Sequence, residues 1–110
     1  MLNRSALIVK AKQPFLKWVL SLPDPANVTL KELNWDNTLY LLPEYTFESE
    51  EEEILAHYFD LIFEEELSGW WTNEADWPAD RGLDTFKKWF DFEFQSMIVD
   101  IVDAPLTDEE

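Results

Sequence analysis

The sequence contains no cysteine and only two glycines among its 110 residues. The missing cysteine excludes a disulfide framework, a thiolate zinc site and a cysteine nucleophile. Because Gly69 and Gly82 stand alone, a glycine-rich phosphate-binding loop is also excluded. No stretch approaches the roughly 20 consecutive apolar residues of a transmembrane helix, and lysines interrupt the apolar N-terminal segment that a secretory signal would need. These absences predict a soluble, cytoplasmic protein.

Basic residues are also scarce, and most of them lie near the N-terminus. Eight lysines and arginines stand against 24 aspartates and glutamates, which gives a net charge of −16. Residues 1–31 carry five basic residues and one acidic residue, a balance of +4, whereas residues 32–110 carry three basic and 23 acidic residues, a balance of −20. Such a charge opposes binding to nucleic-acid phosphates and to anionic lipid. We therefore expect basic or mixed protein surfaces as partners, with no direct nucleic-acid contact and no membrane contact.

Apolar residues, in contrast, are numerous enough to build a core. They make up 46% of the chain, and aromatic residues make up 15%, so the strong negative charge does not imply disorder. A chain of this length is typical of one domain. We predict a single domain over residues 1–110, in which residues 104–110 form a frayed acidic tail.

Hydrophobic periodicity in the first half of the chain predicts two strands and one helix. Alternation predicts strands at residues 5–12 and 37–45, and the helical period predicts a helix over residues 14–22. The prolines of residues 23–27 favour a loop, and residues 29–32 have the capping-box spacing of a short helical turn.

Two long helices are predicted in the second half. Residues 49–69 have the clearest pattern, with Ser49 and Glu52 as a capping box and Gly69 as the C-terminal cap. Residues 83–103 keep an apolar helical stripe over more than four turns, which predicts a second long helix.

Three alternating phenylalanines in this last segment leave a strand as the alternative, beginning near Phe92. The whole pattern predicts an α+β fold of two layers. A sheet of two strands, or of three if the alternative holds, packs against two long helices and one shorter helix.

The only histidine lies on a charged face of the predicted 49–69 helix. Glu53, His57, Asp60 and Glu64 are spaced four, three and four residues apart, so they share one face. Carboxylates and an imidazole one turn apart can share an ion, which makes Glu53, His57 and Asp60 weak metal candidates. This face lies opposite the apolar stripe around Phe59, so we expect it to be a solvated acidic surface.

A pair of carboxylates that acts as general acid and base needs at least one of the two in an apolar pocket that raises its pKa. Glu44, which follows the second strand, is the best candidate for a partly buried carboxylate, and we expect it to form a structural ion pair. Its predicted partner is Arg4, Lys10 or Lys12 of the first strand. No serine has the glycines of a nucleophile elbow. We therefore predict a protein that is not an enzyme and binds no cofactor.

Three tryptophans are crowded just after the long acidic helix. Trp70 and Trp71 follow the predicted glycine cap, and Trp77 ends a short turn that we expect to begin at Thr72 as its N-cap. Such indoles anchor loops, and exposed indoles beside carboxylates also bind cationic groups and partner proteins. The predicted partner-binding residues are Trp70, Trp71, Trp77, Glu53, Asp60 and Glu64.

Four stretches, "RSALIVKAKQPFLKWV", "LYLLPEY", "FEEELSGWWTNEADWP" and "FKKWFDFEFQSMIVDIVD", together resemble a family of small acidic bacterial proteins. The resemblance implies a bacterial cytoplasmic origin, and it implies no activity, ligand or catalytic residue.

Three functions are compatible with these observations. The first is a protein–protein interaction or regulatory module, a monomer or a dimer through a sheet edge, that uses the acidic helix face and the nearby tryptophans. The alternative is a nucleic-acid mimic that inhibits a DNA- or RNA-binding protein by presenting carboxylates at phosphate-like spacing. A weaker alternative is a metal or small-ligand binding protein around His57.

Overall fold

A three-stranded antiparallel sheet forms one layer of the protein in the computed structural model, which describes residues 1–24 and 26–108. The central strand, β1 (Arg4–Ala11), lies between β2 (Leu39–Pro43) and β3 (Phe90–Gln95). The helices are α1 (Gln13–Ser21), α2 (Leu30–Leu33), α3 (Glu50–Ser68) and α4 (Leu83–Trp89), with a short 3-10 turn at Glu74–Asp76.

One face of the sheet forms a single core with the helices. Leu7 of β1 lies between Tyr40 of β2 and Phe94 of β3, and Leu7 is fully buried. Because side chains alternate along a strand, every second residue on either side of this row points to the same face. The α+β fold with a helical layer on a sheet is therefore confirmed. The core residues are Leu7, Val9, Phe15, Trp18, Val19, Leu22, Leu42, Leu55, Ile62, Phe63, Leu67, Phe86 and Phe90.

The opposite face of the sheet, which we call the open face, differs between its two sides. Leu39 and Leu41 of β2 point to it and are 52% and 46% exposed. Asp91 and Glu93 of β3 point to the same face and are exposed as well. Ile8 of β1 separates Leu39 from Glu93. The open face is thus apolar along β2 and acidic along β3.

The predicted long helix over residues 83–103 is wrong, because the helix ends at Trp89 and β3 begins at the next residue. Phe90 has an extended backbone (φ −135°, ψ 142°) and is fully buried. Pairing with β1 lets Phe90, Phe92 and Phe94 lie on the core face of the sheet, and aromatic residues favour such a surface. Some of these phenylalanines also belong to the apolar stripe that predicted a helix. The strand alternative is the one observed, and the strand begins two residues before its predicted start. Among the residues that the structure describes, only α3 is a long helix.

Both predicted caps of α3 differ in detail from the structure. Ser49 makes no side-chain cap, because its own backbone is already helical (φ −60°, ψ −19°). Instead, the Glu50 carboxylate accepts hydrogen bonds from the backbone N–H groups of Thr46 and Phe47, both at 2.8 Å. These two bonds lower the pKa of Glu50. Gly69 is the C-cap, as predicted, but in the right-handed conformation (φ −63°, ψ −22°) that any residue adopts.

The two shorter turns also depend on local caps. The capping box of α2 is confirmed, since the Thr29 hydroxyl accepts from the Glu32 N–H at 3.2 Å and the Glu32 carboxylate accepts from the Thr29 N–H at 3.1 Å. Thr72 is not the cap of the next turn. The side chain of Asn73 accepts from the Ala75 N–H at 3.1 Å and takes that position.

The described C-terminal segment, residues 96–108, contains neither helix nor strand. The predicted frayed tail, residues 104–110, lies partly in it, and residues 109–110 are outside the described residues, as is Pro25 of the predicted 23–27 loop. Several apolar side chains of the segment are exposed, namely Met97, Val99, Ile101, Val102 and Leu106.

In the described part of the chain, no helix combines the length and the apolar composition that a membrane span requires.

Candidate functional site

The acidic face predicted on α3 is exposed to solvent, as the apolar stripe on the other side of the helix requires. Glu53, His57, Asp60 and Glu64 are all exposed. The His57 ring packs edge-on against Tyr58, with centroids 4.7 Å apart. Within residues 1–24 and 26–108, no three histidine, cysteine or acidic side chains are grouped so as to hold a metal ion. The weak metal hypothesis at Glu53, His57 and Asp60 therefore has no structural support.

Two of the three crowded tryptophans anchor the chain after α3. The Trp71 indole N–H donates to the Asp76 carboxylate at 2.9 Å, and the Trp77 indole N–H donates to the Trp71 carbonyl oxygen at 2.7 Å. Trp18 of α1 donates to the Asp76 carbonyl oxygen at 3.0 Å. Trp71 and Trp77 are half-buried against the core, whereas Trp70 is 38% exposed. Trp70 is therefore the most exposed of the three.

Trp70 stands at one end of a groove between α3 and β2, which we call the α3–β2 groove. Its acidic end is a cavity of about 350 Å³ whose lining includes Asp36, Tyr40, Glu65, Glu66 and Trp70. Its apolar end is a cavity of about 280 Å³ whose lining includes Tyr40, Leu41, Tyr58, Leu61 and Ile62. Tyr40 and Glu65 line both cavities, so the two ends adjoin along β2.

A hydrogen bond across the groove fixes one carboxylate of the acidic end. The Tyr40 hydroxyl donates to Glu66 at 2.5 Å, and both side chains are half-buried. Burial raises the pKa of Glu66, the bond from Tyr40 partly offsets this, and the charge of Glu65 raises it again. Burial and the bond to Glu66 raise the pKa of Tyr40 as well. Glu66 is thus a carboxylate that is poorly compensated in its ionised form.

No basic side chain of the described residues compensates the acidic end of the groove. Within the described residues, one ion pair joins Lys12 to Asp91 at 3.4 Å and another joins Lys87 to Glu52. None of these four residues lines the groove. A carboxylate cluster of this kind attracts a cation from outside the protein. The Trp70 side chain beside it is 38% exposed, and indoles attract cationic groups as well.

The partly buried carboxylate predicted at Glu44 is in fact an exposed one. Because β2 ends at Pro43, Glu44 lies beyond the sheet and does not reach the core. Its predicted partners are engaged elsewhere or exposed: Arg4 donates to the Asn3 carbonyl oxygen at 2.8 Å, Lys12 pairs with Asp91, and Lys10 is exposed. The half-buried carboxylate of the candidate site is Glu66.

Sequence reasoning missed Asp36, Tyr40 and Glu66. Tyr40 and Glu66 are 26 residues apart, and periodicity within one element does not reveal which elements meet. The exposure of Trp35, which is 85% exposed and directly precedes Asp36, was not predicted either, although Trp35 does not line the groove. Its signal was present, because it lies in the polar stretch "NWDN", outside every apolar stripe.

Comparisons with protein-family models, with curated proteins and with solved structures found no match. The resemblance to a family of small acidic bacterial proteins therefore stays a prediction. The function has to be argued from the α3–β2 groove and the surfaces beside it.

Proposed function

We propose that this protein is a non-enzymatic interaction module that binds a basic segment of another protein in the α3–β2 groove. The single observation that carries the proposal is the acidic end of the groove, where Asp36, Glu65 and Glu66 lie beside an exposed Trp70 with no basic side chain of the described residues among them. A lysine or arginine of a partner supplies the missing charge.

The composition of the groove matches that of a protein interface. Interfaces combine an apolar centre with a polar rim, and tryptophan is enriched among the residues that dominate their affinity. The apolar end, with Tyr58 and Leu61, supplies the apolar centre, and the acidic end supplies the polar rim. A charge-assisted hydrogen bond to Glu66 contributes about 1.5–3 kcal/mol in a typical case.

The exposed acidic face of α3 has a different role in this proposal. Glu53, Asp60 and Glu64 lie on the helix that forms one wall of the groove, and they are exposed. Such charges speed the approach of a basic partner more than they strengthen the final complex. Trp71 and Trp77 position the chain that carries Trp70, so their role is indirect.

Selection from a library of random peptides tests the proposal. The wild-type protein is the target, and the double variant Glu65→Gln/Trp70→Ala is used for counter-selection. We expect enriched peptides to combine lysine or arginine with neighbouring apolar residues, and to bind the Trp35→Ala control as they bind the wild type. Enrichment of acidic peptides, or no enrichment at all, would contradict the proposal.

The variant Trp70→Ala also separates this proposal from the nucleic-acid mimic, which stays a prediction. A mimic binds nucleic-acid-binding proteins, and duplex DNA and added salt both release them. Retention of a nucleic-acid-binding protein that tolerates Trp70→Ala and that duplex DNA releases would favour the mimic over the module.

A further inference from the structure

The two outer strands of the sheet leave very different edges for another strand to pair with. Within the described residues, β2 and β3 each pair with β1 on one side and with no strand on the other. The sequence of β3, "FDFEFQ", places Asp91 and Glu93 on its open face, whereas the sequence of β2, "LYLLP", contains no charged residue. Charged side chains on an edge strand discourage pairing with another chain, and their absence invites it.

The surroundings of β2 offer contacts to both faces of an added strand. On the open face, Leu39 and Leu41 are about half exposed. On the other face, Tyr58 and Leu61 of α3 line the apolar end of the groove beside β2. Because side chains of a strand alternate, an extended peptide beside β2 places every second residue in the groove and the others beside Leu39 and Leu41.

We propose that β2 receives an extended basic segment of another protein as a fourth strand, with a lysine or arginine of that segment in the acidic end of the groove. This inference rests on the proposed function and adds how the partner binds. Main-chain hydrogen bonds to β2 supply affinity that depends little on sequence, and the cation supplies the preference for a basic partner.

Charge argues against a second copy of this chain as the occupant. The exposed apolar segment 96–108 is the obvious candidate for a strand supplied by another copy. It contains three aspartates and no lysine or arginine, so it would bring like charges to Glu65 and Glu66. Each copy also carries a net charge of −16. An occupant of opposite charge avoids both repulsions.

The test uses a capped octapeptide of alternating valine and arginine as the probe, together with any peptide enriched by the library selection. Each backbone nitrogen of the peptide is methylated in turn, and the affinity is measured by fluorescence anisotropy. Methylation removes one N–H donor, and only alternate N–H groups of an added antiparallel strand face β2. We expect losses of about tenfold or more at every second position and small changes between them. The matched control is the octapeptide of alternating valine and glutamate, which we expect not to bind.

The outcomes separate this inference from the function on which it rests. Binding of the basic peptide without alternation in the methylation scan would overturn strand pairing and leave the interaction module standing. No binding by the octapeptide or by any library peptide would overturn the module as well. Sedimentation of the peptide-free protein tests whether a second copy of this chain occupies the β2 edge instead. A dimer that Leu41→Lys dissociates would assign the edge to a second copy and contradict the charge argument.

Discussion

The strands β2 and β3 pair with the same central strand, yet they present opposite chemistry at the two edges of the sheet. β3 follows α4 without a loop and places Phe90 in the centre of the core, while its open face carries Asp91 and Glu93. β2 contributes only Leu42 to the buried core and leaves Leu39 and Leu41 half exposed.

This difference separates the part of the sheet that holds the fold from the part that is available to a partner. An uncharged, apolar edge is an aggregation hazard, which proteins commonly avoid with charges such as those of β3. The exposed leucines of β2 add little to the core, so stability of the fold does not explain them. We propose that they serve the binding of a partner.

The largest expected effect is a loss of stability when a core residue of β3 is truncated. Phe90→Ala removes a ring that lies 4.9 Å from Phe15, 5.1 Å from Phe86 and 5.5 Å from Phe63, between ring centroids. We expect it to lower the free energy of unfolding by about 3–5 kcal/mol, measured by urea denaturation. Leu41→Ala is the matched variant on β2, and we expect it to cost less than about 1 kcal/mol. Equal losses would mean that the two edges do not differ in this way.

The next prediction exchanges the chemistry of the two edges. Leu41→Lys places a charge on β2, and we expect it to weaken binding of the valine–arginine octapeptide by about tenfold or more. The double variant Asp91→Val/Glu93→Val removes the exposed charges of β3, and we expect it to associate at lower concentration than the wild type. Sedimentation velocity measures this second effect. If neither variant changed association or binding, the charges of β3 would have no protective role.

A smaller effect is expected at the exposed indole of the groove. Trp70→Ala removes the aromatic face beside Glu65 and Glu66, which we expect to reduce affinity for the basic octapeptide by about 1–2 kcal/mol. Its free energy of unfolding should change by less than about 1 kcal/mol, because Trp70 is partly exposed. Trp35→Ala, at an exposed indole outside the groove lining, should change neither quantity. Similar effects from both variants would indicate non-specific adhesion to tryptophan.

The smallest effect concerns the pH dependence of stability. The pKa of Glu66 is raised in the folded protein above its ordinary value of 4.5, chiefly by burial. Below that ordinary value Glu66 is protonated in both states and its contribution to stability is fully present. As the pH rises through the raised pKa, the unfolded state loses the proton more readily, so stability falls.

The variant Glu66→Gln cannot ionise and keeps an oxygen that accepts from Tyr40. We therefore expect its stability relative to the wild type to rise with pH from about pH 4 upwards, measured by urea denaturation. Glu64→Gln, on the exposed face of α3, is the control and should not show this rise. A relative stability that stayed constant with pH would mean that burial does not affect Glu66.

Local patterns predicted those elements in which one reading of the sequence was clearly better. Alternation in "SALIVKAK" located β1, and the helical period of Leu55, Ile62 and Phe63 located α3 with its exposed acidic face. The boundary between α4 and β3 was not predictable, because Phe90 and Phe94 fit both a helical stripe and an alternating strand. Only pairing with β1 decides between them.

The candidate site was predictable only in part, for a related reason. Trp70 and the acidic face of α3 were identified from a single element and its cap. The groove itself exists because Tyr40 of β2 meets Glu66 of α3, and no property of either stretch alone indicates that contact. Which edge of a sheet remains free is likewise a consequence of the strand order, β2-β1-β3.

Amide hydrogen exchange with and without the valine–arginine octapeptide tests the central claim most directly. Exchange at the outward-facing N–H groups of residues 39–42 should slow when the peptide is bound, because they gain hydrogen-bond partners, while exchange over residues 90–95 should stay unchanged. Saturating peptide that left residues 39–42 unprotected, or that protected residues 90–95 instead, would contradict the assignment of β2 as the partner-binding edge.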